Sequence, residues 1–271
     1  MLIRVGFEMA LSFPQPTAAT LSLHIHPSRL WSVRHSEQFE VEPKLTLTSY
    51  VDSFGNQCDR LFVNSPSLVI RCNAIVEDSG TTDPQVWNAP QHNVQDLPND
   101  ALIFLLASRY CEVDSELNNL AGTLFNATPP GWPRVQAICN FVFQHLRFDY
   151  QQARSNRTAV EAFRERTGVC RDYTHLAITL CRCMNIPARY CTGYLGDIGV
   201  PPSADPMDFS AWFEAYLGGN WYAFDPRNNI PRTGRILMAR GRDAADAALT
   251  TTYGVSRLES FKVWTDEVAE V

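Results

Sequence analysis

The apolar residues of this chain change their period between roughly residues 80 and 100, and that change limits the fold more than any other feature. Before it, apolar side chains alternate with polar ones in short runs: MLIRVGFEMALSF, TLSLHIHPS, EQFEVEPKLTLTSYVDSFGNQCDRLFVN and SLVIRCNAIVED. A period of two gathers the apolar side chains of a strand on one face, so these runs predict an antiparallel β domain. Asp52-Ser53-Phe54-Gly55-Asn56, between two of the runs, has hairpin-loop composition. From Ser79 to about Asn99 the chain is polar and contains Pro, Gly and Asn, as a linker or long loop does.

Beyond the linker the helical period takes over. Asn99-Asp100 is placed to cap a helix through ALIFLLASRY, and RVQAICNFVFQHL, from Arg134 to Leu146, follows Pro129, Pro130 and Pro133. A short helix is predicted over Arg157 to Glu165. Another starts near Gly168 and runs to about Met184, stopped by Asn185-Ile186-Pro187. The strands ARYCTGYL, SAWFEAYL and WYAFDP come next, the last two joined by the hairpin signal Gly218-Gly219-Asn220. The expected class is α+β: an antiparallel β domain over 1–85, then a helical segment and core over 86–271 in which a helix bearing a cysteine packs on an antiparallel sheet.

With 271 residues, 45% of them hydrophobic, the chain can bury a substantial core. A formal charge of −6 removes the electrostatic basis for binding nucleic acid or an anionic membrane. No stretch approaches the roughly 18 apolar residues of a spanning helix, and Arg4 and Glu8 interrupt the N-terminal apolar run as they would not in a signal peptide. A cytoplasmic location is expected.

Eight cysteines contain no C-x-x-C and no zinc-type Cys/His spacing, so they are expected to be mostly free thiols in the core, with no metal and no cofactor. His24 and His26 alternate along one predicted strand, but no Cys or carboxylate at matching spacing completes a metal site, and half-buried strand histidines are the expectation. The aromatics of the Gly218-Gly219 hairpin are read as packing of a half-buried sheet.

The chemistry-bearing segment is Thr167-Gly168-Val169-Cys170-Arg171-Asp172-Tyr173-Thr174-His175-Leu176. It puts Cys170 in the first turn of a helix, where free N–H groups and the positive end of the macrodipole favour an anion and should lower the thiol pKa. Cys181 and Cys183 fall deeper in the same helix. A cysteine nucleophile needs a base and a group to orient that base. If Leu217 pairs with Asn220 across the hairpin, position 210 lies opposite 227, and Asp225 is its diagonal neighbour on the same face.

GVCRDYTHLAITLCRCMNIPARYCTGYL, followed by MDFSAWFEAYLGGNWYAFDPRNN, closely resembles the core of bacterial transglutaminase-like proteins, papain-like cysteine enzymes with a Cys–His–Asp triad. The β-rich N-terminal part, including DSFGN, resembles the accessory β domain of many bacterial members. The resemblance implies Cys170 as nucleophile, Asp225 as the residue that orients the base, and acyl transfer from a peptide or protein amide through a thioester. Nothing in that mechanism requires a metal.

The chain departs from the family at one position. The family motif His-Ala-Trp reads Ser210-Ala211-Trp212 here, and a serine hydroxyl is far too weak a base to take a thiol proton near neutral pH. Losing a triad base costs on the order of 10⁴ to 10⁶ in turnover. Three readings follow: a natural pseudoenzyme that binds peptide or serves as a scaffold, an introduced substitution, or replacement by another histidine. His175 is five residues beyond Cys170, about 140° around a helix, and is expected to face elsewhere. Arg171 and Asp172 are open to a folding role or a substrate contact, and Tyr150 to lining the cleft or ordinary packing.

Overall fold

The computed structural model describes residues 1–202 and 207–268; the end of the expected second region, residues 269–271, lies outside them. The first part runs β1 (Leu2–Ser12), β2 (Thr17–Leu21), β3 (Val33–Glu42), β4 (Thr48–Val51), β5 (Gln57–Val63) and β6 (Ser67–Glu77). Next come α1 (Asn99–Leu102), α2 (Glu116–Phe125), α3 (Trp132–His145), β7 (Arg147–Phe148), α4 (Ala159–Glu165), β8 (Thr167–Gly168) and α5 (Cys170–Cys183). The chain closes with β9 (Ala188–Tyr194), β10 (Ser210–Leu217), β11 (Asn220–Phe224), β12 (Ile236–Gly241), β13 (Thr250–Thr252) and β14 (Arg257–Val268).

The early alternation becomes two antiparallel sheets, in the orders β14-β1-β6-β3 and β13-β2-β5-β4. Ile3, Val5, Phe7, Met9 and Leu11 turn inward from β1, and Leu68, Ile70, Cys72, Ala74 and Val76 from β6. Leu21, Leu61 and Val63 of the second sheet join them in one core. The unbroken register from Leu2↔Glu77 to Ser12↔Ser67 keeps both inward sets on the same face.

A boundary at residue 85 does not anticipate the return of the chain's end. β14 pairs with the free edge of β1 from Leu2↔Val268 to Ser12↔Arg257, and β13 pairs with β2. Without β14 the long strand β1 would present unpaired backbone groups along a whole edge. The β region is therefore built from both ends of the chain.

The core follows the expected α+β plan, with a four-stranded antiparallel sheet β11-β10-β9-β12 against α5. Residues from Asp172 to Arg182 of α5 are all buried, so this helix is walled in on every side. Leu176, Ile178 and Leu180 share their core with Phe213, Ala215 and Leu217 of β10 and with α2, α3 and α4. The predicted helix through ALIFLLASRY is a single turn, α1, followed by a 3₁₀ turn over Ile103–Leu105. That run is apolar throughout its middle and has no polar face for an amphipathic helix. The sequence reading missed α2, which Ser115 caps by accepting from Leu117 N at 3.3 Å.

The predicted strand TLSLHIHPS ends at Leu21, short of its two histidines. His24 is held in an ion triad, Nδ1 2.8 Å from Glu37 Oε2 and Nε2 2.7 Å from Asp59 Oδ2. Burial alone would lower its pKa, but the hydrogen bonds to Asp59 and Glu37 outweigh burial and raise it from 6.5 to about 9. Because the folded value is the higher one, the triad's contribution is complete below pH 6.5 and is lost as pH rises through about 9. Urea denaturation across this window is expected to show a decline on the order of 3 kcal/mol that a His24→Asn variant lacks. Parallel pH profiles for the two proteins would contradict this account of the triad.

Candidate active site

The start of α5 is fixed by one carboxylate. Asp172 Oδ2 folds back to accept from Val169 N at 2.9 Å and from Arg157 Nη1 at 2.9 Å. Arg157 and Asp172 are both essentially excluded from solvent, and Arg157 Nε also reaches Glu165 Oε2 at 3.0 Å. A Cβ on Gly168 would sit 2.6 Å from Asp172 Cβ, so only glycine leaves room for this return. Of the two roles left open for Asp172, the geometry is that of a helix cap. Cys170 is the first residue of α5.

The hairpin has the register the sequence implied, with Leu217↔Asn220 and Phe213↔Phe224. Gly218 and Gly219 have φ of 55° and 86°, the left-handed pair that a tight two-residue hairpin needs. On the other side of β10, Ser210 pairs with Gly193 of β9.

Cys170 and Ser210 line one cavity of about 60 Å³, together with Tyr150, Asp208, Arg227 and Asn228. A larger groove, about 630 Å³, meets it along Cys170, Asp208, Phe209 and Ala211. Asp225 does not line the cavity shared by Cys170 and Ser210. It lies just beyond the end of β11, and its carboxylate accepts from Asn228 Nδ2 at 2.7 Å and Arg235 Nη2 at 3.0 Å through Oδ2. Burial alone would raise the Asp225 carboxyl, but Arg235 and Asn228 outweigh it and hold the group below the usual carboxylate range. The link from Asp225 to the cavity runs through Asn228, whose Oδ1 also accepts from Arg227 Nη1 at 2.9 Å. The Arg227 guanidinium in turn sits 4.2 Å from the centre of the Phe148 ring.

The helix-dipole argument gives the wrong sign for Cys170. Burial first, then the Asp208 carboxylate, push its thiol from 9.0 up to about 11, against the opposing pull of the Ala211 N–H and Arg227. Asp208 is itself raised by burial. Desolvation and a like charge outweigh the partial charge of one helix end.

His175 is fully buried and faces away from the cavity. Its Nε2 accepts from Ala244 N at 3.1 Å, and its ring stacks on Tyr110 with centroids 5.0 Å apart. Burial drives its pKa well below 6.5. Tyr150, left open by the sequence, lines the cavity edge-on to Phe148. Sequence reasoning missed Asp208, Arg227 and Asn228; Asp208-Phe209 ahead of β10 and PRNN after β11 put polar side chains at two strand ends that meet here, and that was the available signal.

A cysteine at a buried helix start, beside the end of an antiparallel strand, defines a papain-like thiol architecture. The transglutaminase-like superfamily description matches residues 119–226, a span that contains Cys170, Ser210 and Asp225. A crystal structure of a candidate cysteine protease from Cytophaga hutchinsonii is 30% identical, covers 100% of this chain and 92% of that one, and superposes with a TM-score of 0.87. An uncharacterised protein of Mycobacterium leprae is 31% identical over 122 residues, which is 43% of each chain. One from Mycobacterium bovis is 27% identical over 216 residues, 72% of this chain and 68% of that one. The chain belongs to the transglutaminase-like superfamily.

Alkylation of Cys170 by iodoacetamide, followed by peptide mass spectrometry, is expected to be slow at neutral pH and to climb with a midpoint near 11. Asp208→Asn should move that midpoint down. A native midpoint at or below neutral pH would show that the helix start governs the thiol after all.

Proposed function

We propose that this chain carries a thiol acyl-transfer site for peptide or protein amides whose turnover is impaired because residue 210 is serine. The observation that carries the reading is the cavity at the start of α5, which Cys170 and Ser210 share and which no histidine lines among the described residues. In the complete reaction the Cys170 sulfur attacks the amide carbonyl, the C–N bond breaks, and the amine leaves with a proton. Water or a second amine then attacks the thioester, giving hydrolysis or transfer. Both halves need a base that takes the thiol proton and returns it to the leaving amine. Ser210 can hydrogen-bond but cannot hold that proton.

Asp225, tied to Arg235 and Asn228 behind the cavity, would act on an imidazole at 210 through Asn228, which lines the cavity. A second reading, peptide binding without chemistry, is favoured by the thiol's elevated pKa of about 11 and by the Asp208 carboxylate beside it. Eight free cysteines fit a reducing, cytoplasmic setting. Among the described residues no helix is long and apolar enough to cross a membrane.

The test is a paired assay of the native chain and Ser210→His on a glutamine-containing peptide, with Cys170→Ala as the blank. Turnover of Ser210→His should exceed the native rate by at least about 10²-fold, the lower end for a positioned general base. Equal rates above the blank would remove residue 210 from the mechanism. Peptide binding with no turnover by either form would support the binding-only reading.

A further inference from the structure

On the face of the core sheet turned away from α5, a cavity of about 420 Å³ is lined by five arginines, Arg29, Arg189, Arg232, Arg235 and Arg240. Strand alternation explains the location: Ala211, Phe213 and Ala215 of β10 face α5, while Trp212 and Glu214 face this cavity. Most of the guanidinium groups have acidic partners. Arg29 lies 3.3 Å from Asp78, Arg189 2.6 Å from Glu214, and Arg235 bridges Asp83 and Asp225 at 2.9 and 3.0 Å. Arg232 donates to Gly196 O at 2.9 Å and lies 3.4 Å from Asp197.

Arg240 is different. Among the described residues its side chain is held only through Nε, which donates to Phe54 O at 3.2 Å, and it forms no ion pair. Two further nitrogens, Arg232 Nε and Arg235 Nη1, are buried without an acceptor, on side chains only 5% and 8% exposed. Burial and then Arg189 hold Arg240 below the usual arginine value. Burial, then Arg240 and Arg189, push the adjoining His26 down to about 4.

From the surplus donors and the room beside them, we infer that this cavity is a binding site for a small organic oxyanion, a carboxylate or a phosphate, seated on Arg240 beside the Arg189–Glu214 pair. The guanidinium fork matches either group with paired, charge-assisted hydrogen bonds. The volume exceeds what an inorganic ion fills, which favours an anion on an organic body. Glu214, already engaged by Arg189, bounds the negative charge the site accepts on that side. Arg232 borders both this cavity and the Cys170 cavity, but Arg189 and Arg240 line only this one, and the inference does not depend on the chemistry proposed at Cys170.

Isothermal titration at low ionic strength, with glycerol phosphate, succinate and uncharged glycerol as probes, tests the inference. At least one anion should bind saturably and glycerol should not; the tighter of the two anions distinguishes phosphate from carboxylate. Added salt should weaken the binding. Arg240→Met should weaken it about tenfold or more, while Arg257→Met, an exposed arginine on β14, should leave it unchanged. If Arg240→Met does not fold, Arg189→Met is held to the same criterion. Flat titrations with both anions overturn the inference, and so does binding that these cavity variants leave intact.

Discussion

The buried pair of Arg157 and Asp172 sets the position of everything at the thiol. Asp172 caps Val169, and that cap decides where α5 begins, so it decides where Cys170 points. Both charges are out of water, and removing Arg157 leaves Asp172 with only Arg171, at 3.5 Å, at a cost of about 3–5 kcal/mol. Glu165, from the end of α4, adds a second carboxylate to the same guanidinium. The short helix α4 therefore serves the site without touching it.

From that fixed point, two strand ends complete the cavity. β10 starts at Ser210 and β11 stops at Phe224, so Asp208-Phe209 and DPRNN lie outside the ladder at the same end of the hairpin. Backbone released there forms a tight turn in which Arg227 N and Asn228 N both donate to Asp225 Oδ1. The turn buries Asp225 and leaves Asn228 and Arg227 at the cavity. The electrostatic result is a thiol that favours its neutral form, since burial and Asp208 outweigh the helix start. In this setting a base at 210 would matter twice, by taking the proton and by pairing its positive charge with the thiolate.

Much of this was legible in the sequence because the relevant signals are local. Period-two runs gave the inward residues of β1 and β6, Gly218-Gly219 fixed the hairpin register, and Gly168 with Cys170 marked the start of α5. What stayed hidden is long-range. The return of β14 to β1 joins residues more than 200 positions apart, and nothing near either strand announces its partner. The sign of the Cys170 shift was missed for the same reason. The helix dipole is read from neighbours in sequence, whereas desolvation and Asp208 act through space. His175 was excluded correctly from helical angle alone, because both residues sit on one rigid helix.

The central claim is that burial and Asp208 keep Cys170 protonated at neutral pH and that Ser210 supplies no base to offset them. The most direct measurement is thiolate absorbance in the far ultraviolet as a function of pH, taken as a difference against Cys170→Ala in both the native chain and Ser210→His. The account requires a native difference signal that rises only toward a pKa of about 11 and a Ser210→His signal already present near neutral pH. A native thiolate at neutral pH, or two coincident titrations, would contradict it.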